Sequence, residues 1–191
     1  MFARFARSIN IKLVLAIAFL LAALGILASS ASRTEVAIDT SRPFALVAAD
    51  KQTNAPDFSL STPDGQHVTL SEAVKNGPVI LDFWATWCGP CRAEMPELQT
   101  VYEKYKGRGV QLYGVDGNDQ AEAIKSFSEQ NHVQFPLLVD TKASVHDAYG
   151  VNAIPLVVIV DSNMHVVAGS EGYDTDTQTD LSRTLDKLLG A

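Results

Sequence analysis

The chain has 191 residues and a formal net charge of −7 at pH 7. All of its acidic residues follow the first 33 residues, and the rest of the chain holds 11 basic residues against 22 acidic ones, a net charge of −11. Such a surface excludes a general nucleic-acid binder and an electrostatic attachment to anionic lipids. The chain is long enough to bury a core without structural disulfides.

Residues 1–31 have the pattern of an export or membrane signal. An uncharged run, 13–32, follows three basic residues: Arg4, Arg7 and Lys12. This run is long enough to span a bilayer, whereas its strongly apolar part, 13–27, has the length found in signal peptides. We therefore expect either a cleaved signal peptide, with a small-residue cleavage site at 29–31, or a retained membrane anchor. Both place the working domain outside the cytoplasm.

Residues 32–53 are predicted to be a linker, because their composition is mixed and shows no sustained period. The remaining residues, 54–191, have the size of one domain. A β-hairpin is expected near its start, where Thr62-Pro63-Asp64-Gly65 separates two segments of alternating polarity.

Strands and helices alternate after this hairpin. The predicted strands cover 79–84, 110–116, 135–140, 156–161 and 165–168. The predicted helices are one that ends at Lys106, one over 119–130, a short one that ends at Gly150, and one over 177–189. This alternation is typical of an α/β domain built from βαβ units.

The two cysteines of the chain, Cys88 and Cys91, lie where the apolar strand 79–84 runs into a predicted helix. The first turn of a helix offers unpaired N–H groups and the positive end of the helix dipole, and both stabilise a thiolate. We therefore predict that Cys88 is the nucleophile. Cys91, three residues later, is predicted to be the buried thiol that resolves the mixed disulfide.

Other uses of two cysteines fit the sequence less well. A zinc site usually needs four ligands, and covalent haem attachment needs a histidine where Arg92 follows Cys91. A purely stabilising disulfide would close too short a loop to contribute much chain entropy. We predict no metal site and expect all four histidines on the surface, since their spacing is not that of metal ligands: His67, His132, His146 and His165.

The segment 81–96, LDFWATWCGPCRAEMP, resembles the active-site signature of the thioredoxin superfamily, and its last five residues resemble the membrane-linked TlpA/ResA/DsbE branch. The segments 55–60 and 135–140 and the pair Ile154-Pro155 fit the same branch. The resemblance therefore covers the chain from about residue 55 onward. It implies a thioredoxin fold, with a central mixed sheet flanked by helices, an N-terminal β-hairpin and a central αβ insertion.

The resemblance also implies which residues contact a substrate. The bond between Ile154 and Pro155 is expected to be cis and to face the cysteines, so that the backbone of Ile154 can bind an extended substrate segment. We expect Trp87 to shield the disulfide and to meet partners, with Gly89 and Pro90 on the same surface. The chain departs from the family pattern after Pro155, where a leucine stands in place of the frequent threonine.

Two acidic residues, Asp82 and Glu94, are candidates for managing the proton on Cys91. Asp82 occupies the position of the buried aspartate of thioredoxin, where the membrane-linked branch more often has a neutral residue, and Glu94 matches the glutamate of that branch. A buried carboxylate with a raised pKa can take the proton as Cys91 attacks. We rank Asp82 first, because an unpaired acid in an apolar strand is expensive, whereas a first-turn glutamate is also favoured by the helix dipole.

These features predict a thiol-disulfide oxidoreductase that reduces disulfides in exported proteins, with no cofactor except its own redox-active cysteines. The Gly-Pro pair between the cysteines is that of thioredoxin, whose potential of about −270 mV lies well below the roughly −120 mV of the oxidant DsbA. The resemblance implies a periplasmic or extracytoplasmic location and a membrane electron donor of the DsbD/CcdA type. It also implies targets such as apocytochrome c or copper-site proteins.

Two other functions stay open. A thiol peroxidase shares the Ala-Pro-Asp-Phe opening at 55–58, but the approach to Cys88 lacks the Pro-x-x-x-Thr-x-x-Cys pattern. A Cu(I)-binding module is the second alternative, because two thiolates are soft ligands that this ion prefers.

Overall fold

A computed structural model describes residues 43–190 of the chain. The strands of this part are β1 (Thr53–Asn54), β2 (Ser59–Ser61), β3 (His67–Thr69), β4 (Val79–Trp84), β5 (Gln111–Gly117), β6 (Leu137–Asp140), β7 (Leu156–Val160) and β8 (His165–Glu171). Its helices are α1 (Leu70–Ala73), α2 (Gly89–Tyr105), α3 (Ala121–Asn131), α4 (Ser144–Tyr149) and α5 (Thr177–Leu188). No helix in the described range is both long and apolar enough to cross a membrane.

The strands form one mixed sheet in the order β1-β8-β7-β4-β5-β6-β2-β3. Strand β4 pairs in parallel with β5 and antiparallel with β7, and β5 pairs in parallel with β6. Helices pack on both faces of this sheet. The expected α/β fold with a central mixed sheet is therefore confirmed, and the expected αβ insertion corresponds to α3 and β6.

The predicted strands and helices are present, with bounds that differ by a few residues. The strand predicted over 135–140 begins at Leu137, because Pro136 has no N–H to donate to a neighbouring strand. The strand predicted over 165–168 continues to Glu171, where it still pairs with β7.

The predicted hairpin is formed by β2 and β3, which pair antiparallel with Leu60 opposite Val68. The N–H of Gly65 closes the turn by donating to the carbonyl oxygen of Thr62 at 2.9 Å. Gly65 has a φ of +85°, a left-handed conformation that glycine adopts without steric strain. Because β2 also pairs with β6 at Ser61, the hairpin extends the sheet at this edge.

Strand β4 is buried on both faces, as its nearly continuous apolar sequence predicts. Ile80 and Trp84 belong to the apolar cluster that α2, α3 and α5 cover. Leu81 and Phe83 belong to the opposite cluster, beneath α1 and α4. Since successive side chains of a strand alternate between faces, Asp82 lies on the side of α2.

Part of the predicted linker is folded onto the domain. Phe44 is buried, its N–H donates to the carbonyl oxygen of Gly169 at 3.0 Å, and its own carbonyl accepts the hydroxyl of Thr184 at 2.6 Å. The segment then follows β8 and becomes its outer neighbour as β1. The folded unit therefore includes Phe44, ten residues before the expected boundary at 54, because Phe44 fills a space between β8 and α5. The signal or anchor predicted at 1–31, and residues 32–42 of the linker, lie outside the described residues.

The expectation that all histidines lie on the surface is wrong for His146, which is buried. Its Nδ1 lies 3.1 Å from Oδ2 of Asp140, and a Cβ on Gly117 would come within 2.7 Å of its Nε2. The imidazole therefore occupies the space that a side chain at position 117 of β5 would fill. The carboxylate of Asp140 also accepts backbone N–H groups at the start of α4, from Ser144, Val145 and His146.

Replacing Phe44 by alanine is expected to lower the free energy of unfolding by about 3 kcal/mol, since truncating a fully buried phenylalanine leaves a cavity. Leu46 is 43% exposed, so that Leu46→Ala is a matched control from the same segment. We expect the control to stay within about 0.5 kcal/mol of the wild type. Denaturant-induced unfolding of the full chain measures both changes. Equal effects of the two substitutions would contradict a structural role for this segment.

Candidate active site

Cys88 and Cys91 form a disulfide with their Cα atoms 5.3 Å apart. Cys88 is the residue that caps the N-terminus of α2, and its Sγ accepts the backbone N–H of Cys91 at 3.2 Å. Both cysteines are buried, Cys91 more deeply, with 1% of its surface exposed against 4% for Cys88. The sulfur of Cys88 therefore lies at the positive end of a helix with one N–H directed at it, a setting that stabilises a thiolate.

The loop before β7 lies against this disulfide. The peptide bond between Ile154 and Pro155 is cis, and the carbonyl oxygen of Ile154 lies 3.9 Å from Sγ of Cys88. The carbonyl of Pro155 accepts the N–H of Gly172 from the end of β8 at 2.8 Å, which holds the loop to its neighbour. The backbone of the half-buried Ile154 is thus placed beside the more accessible sulfur.

The aromatic residues near the disulfide divide into core and surface. Trp84 is fully buried and packs on Phe127 of α3, with 4.7 Å between ring centroids. Phe83 points to the opposite layer and contacts Tyr149. Trp87, next to Cys88, is 68% exposed and available to a partner, and the adjoining Gly89 and Pro90 are also exposed.

Asp82 and Glu94 are both buried, each with 1% of its surface exposed. None of their four carboxyl oxygens has a hydrogen-bond partner in the described part of the chain. Burial raises the pKa of Asp82 to about 8. Burial, and then the charge of Asp82, raises the pKa of Glu94 to about 9. Both carboxyls are therefore mainly protonated at neutral pH, because no lysine or arginine among the described ion pairs compensates their charge inside the core.

The alternative interpretation of Glu94, a first-turn glutamate favoured by the helix dipole, does not hold, because Glu94 is buried and lies beyond the first turn of α2. Glu94 lies one turn after Cys91 on the face of α2 that packs on the sheet. Its side chain therefore points to the same layer as Asp82, which explains why the charge of one carboxyl raises the pKa of the other.

Sequence analysis missed a second group of polar residues beside the disulfide. Oδ2 of Asp119 accepts both the N–H and the hydroxyl of Thr86, at 2.9 and 2.8 Å. Asp119 in turn donates its N–H to Oδ1 of Asp116, at 3.1 Å. The available signal was the pair of acids at the end of the apolar strand β5 and just after it, Asp116 and Asp119. Strand β5 runs parallel to β4 and therefore ends at the same edge of the sheet.

No group of three or more His, Cys, Asp or Glu side chains suited to a metal ion is present within residues 43–190. A Cu(I) ion at this site would therefore have the sulfurs of Cys88 and Cys91 as its protein ligands.

Comparison with known proteins gives concordant results. The model of the AhpC/TSA family matches residues 52–168. The chain is 33% identical over 124 residues to the thiol-disulfide oxidoreductase ResA of Bacillus thuringiensis subsp. konkukian, a match that covers 65% of this chain and 71% of that protein. It is 34% identical over 134 residues to ResA of Geobacillus kaustophilus, covering 70% of this chain and 75% of that protein.

A solved structure from Chlorobium tepidum, described as a DsbE-type thiol:disulfide interchange protein, superimposes with a TM-score of 0.68. It is 32% identical, and the match covers 75% of this chain and all of that one. These relatives carry the same class of activity that the disulfide at the start of α2 supports. The chain therefore belongs to the AhpC/TSA family, and within it to the ResA- and DsbE-like thiol-disulfide oxidoreductases.

Proposed function

We propose that the protein reduces disulfide bonds of exported proteins through its Cys88–Cys91 dithiol and uses no other cofactor. The observation that carries this proposal is the disulfide at the N-terminus of α2 with the backbone of Ile154 beside it. The direction of the reaction is supported by the Gly-Pro pair between the cysteines, which thioredoxin shares.

In the first step, the thiolate of Cys88 attacks one sulfur of the target disulfide. The target S–S bond breaks, and the leaving sulfur departs as a thiolate that takes a proton from solvent. The N–H of Cys91 and the dipole of α2 favour the thiolate form of Cys88. The backbone of Ile154 and the exposed ring of Trp87 hold the substrate segment.

In the second step, Cys91 attacks the sulfur of Cys88 in the mixed disulfide. The bond between Cys88 and the target breaks, the oxidised pair re-forms, and the target leaves with both sulfurs reduced. Cys91 must first lose its proton. Its first acceptor is Asp82 in the ionised form, which is the minor form at neutral pH because burial raises the pKa of Asp82 to about 8, and Glu94 shares the charge. Their raised pKa values lie close to the ordinary pKa of a thiol, about 8.5, so that transfer in either direction has a small driving force.

We also propose that the protein works at the periplasmic or extracytoplasmic face of the inner membrane, exported or tethered by its N-terminal segment. A reductant in an oxidising compartment needs a supply of electrons, and a membrane donor of the DsbD/CcdA type supplies them. Disulfide-containing exported proteins are the substrates, and apocytochrome c and copper-site proteins are the first to be tested.

The reduction potential of the Cys88–Cys91 couple tests the proposed direction. We expect a value near the roughly −270 mV of thioredoxin when the full chain is equilibrated with dithiothreitol buffers. Insulin reduction by the same sample is expected to be positive. A potential near the roughly −120 mV of DsbA would contradict the reductant role. Turnover of peroxide, or tight Cu(I) binding without insulin reduction, would support one of the two alternative functions.

Single cysteine substitutions test the order of attack. We expect Cys91→Ser to form a stable mixed disulfide with a target, because Cys88 still attacks and nothing resolves the product. Cys88→Ser is expected to trap at least ten times less, since Cys91 is the more deeply buried sulfur. Non-reducing electrophoresis after mixing with insulin measures both. Stronger trapping by Cys88→Ser would reverse the assigned roles.

The buried acids predict a particular dependence of stability on pH. Between the ordinary carboxyl range near pH 4 and pH 8, the folded protein keeps protons on Asp82 and Glu94 that the unfolded chain has lost. The free energy of unfolding should therefore fall as pH rises through this window, by up to about 1.4 kcal/mol per pH unit for each group.

The double variant Asp82→Asn/Glu94→Gln should show a flatter curve over the same window when denaturant unfolding is measured at several pH values. A smaller slope should remain, because burial also raises the pKa of Asp116 to about 8. Glu103→Gln, an exposed acid on α2, is the matched control and should leave the slope unchanged. Parallel curves for the double variant and the wild type would contradict the raised pKa values.

A further inference from the structure

The loop 85–87, between β4 and α2, carries the exposed Trp87 and is followed by Cys88, the N-cap of α2. Its backbone closes a turn in which the N–H of Cys88 donates to the carbonyl oxygen of Ala85 at 3.0 Å. Within residues 43–190, the side-chain hydrogen bonds to this loop come from Asp119, whose Oδ2 accepts both donors of Thr86. One carboxylate oxygen, 33 residues away in sequence, therefore holds the loop that leads to the attacking sulfur.

Asp116 lies directly behind Asp119. It is fully buried at the end of β5, opposite Trp84 of β4, and its Oδ1 accepts the N–H of Asp119. Its other oxygen, Oδ2, is buried and receives no hydrogen bond in the described part of the chain. A buried carboxyl oxygen that no donor faces is less costly when it carries a proton itself.

Electrostatics agrees with this geometry. Burial, and then the charge of Asp119, raises the pKa of Asp116 to about 8, and hydrogen bonding of the acid to the side chain of Asp119 acts in the same direction. At neutral pH a protonated Asp116 can therefore donate a hydrogen bond to the carboxyl group of Asp119. The charge of Asp119 is thereby stabilised in a place where no lysine or arginine is paired with it among the described ion pairs.

We propose that Asp119 is a positioning residue for the reaction at Cys88, and that Asp116, as a carboxylic acid, holds Asp119 in place. Asp119 acts through Thr86 by fixing the loop from which α2 begins. Thiol-disulfide exchange needs the attacking sulfur in line with the bond that breaks, so that a loop displaced by a fraction of an ångström slows it. This inference rests on the proposed role of Cys88 as the attacking thiol.

The main test is the rate at which iodoacetamide alkylates Cys88 at pH 7, measured on the full chain in a Cys91→Ser background. Asp119→Ala removes the acceptor, and we expect a rate about tenfold lower, the size of effect that a lost charge-assisted hydrogen bond produces. Charge alone predicts the opposite sign, because removal of a nearby carboxylate favours the thiolate and speeds alkylation. Slower alkylation therefore identifies positioning.

Two further substitutions keep the test decisive if Asp119→Ala does not fold. Thr86→Val keeps the shape of threonine but removes the hydroxyl donor, and we expect it to slow alkylation about threefold. Thr86→Ser keeps the hydroxyl and should restore a rate within about twofold of the wild type. Equal rates for the valine and serine variants would overturn the proposal.

The role of Asp116 is tested by replacing the acid with an amide. Asp116→Asn offers an N–H donor where the carboxylic acid offers an O–H, and its rate should stay within about twofold of the wild type. Asp116→Ala removes the donor and should resemble Asp119→Ala. If the asparagine variant is as slow as the alanine variant, the carboxylic acid does not hold Asp119.

Asp161→Ala is the matched control, at the opposite end of the sheet between β7 and β8. Its carboxylate likewise accepts two hydrogen bonds, in this case from the backbone N–H groups of Asn163 and His165, both at 2.9 Å. We expect wild-type alkylation for this variant. A folded Asp119→Ala protein with a rate equal to or above that of Asp161→Ala would overturn the proposal. Insulin reduction on the wild type separates the two conclusions, since its absence would refute the proposed function without altering these rate ratios.

Discussion

The burial of β4 between two helical layers determines where the reactive sulfurs lie. All six residues of this strand are buried, and it is paired on both sides, so that it cannot shift without disrupting two neighbours. The loop that follows therefore leaves the sheet from a fixed point, and α2 begins beside it. Leu156 of the antiparallel neighbour lies opposite Phe83, which brings Ile154 and Pro155 to the same edge as Cys88.

The layer on the side of α2 combines an apolar core with three buried carboxyls, Asp82, Glu94 and Asp116. A fold optimised for stability alone would place apolar residues at such positions, because a buried acid without partners is costly when ionised. In the opposite layer the buried acid is Asp140, and its carboxylate accepts several hydrogen bonds at the start of α4. Within the described residues, the buried carboxyl oxygens without a hydrogen-bond partner thus all lie on the side where thiols change their protonation.

The central strand, the cysteine motif and the order of elements could be predicted because each depends on local sequence. A long apolar run predicts a buried strand, and the proline and the end of that run predict where α2 begins. Three features could not be predicted, because each depends on contacts between distant residues. Phe44 is held in place by contacts with β8 and α5. His146 is buried because Gly117 has no side chain to fill the space that the imidazole occupies. Thr86 is held by Asp119, which the pairing of β4 with β5 brings close.

The two tryptophans of the chain lie on either side of a boundary between core and solvent, within four residues of the disulfide. Trp84 is enclosed against Phe127, whereas Trp87 is exposed beside Cys88. Disulfides quench the fluorescence of nearby indole rings, and the emission wavelength of indole follows the polarity of its surroundings. The intrinsic fluorescence of this protein therefore reports on two events. Oxidation of the sulfurs lowers the emission intensity of the indole rings beside them, and a partner that covers Trp87 changes the emission wavelength of that ring, while Trp84 stays enclosed.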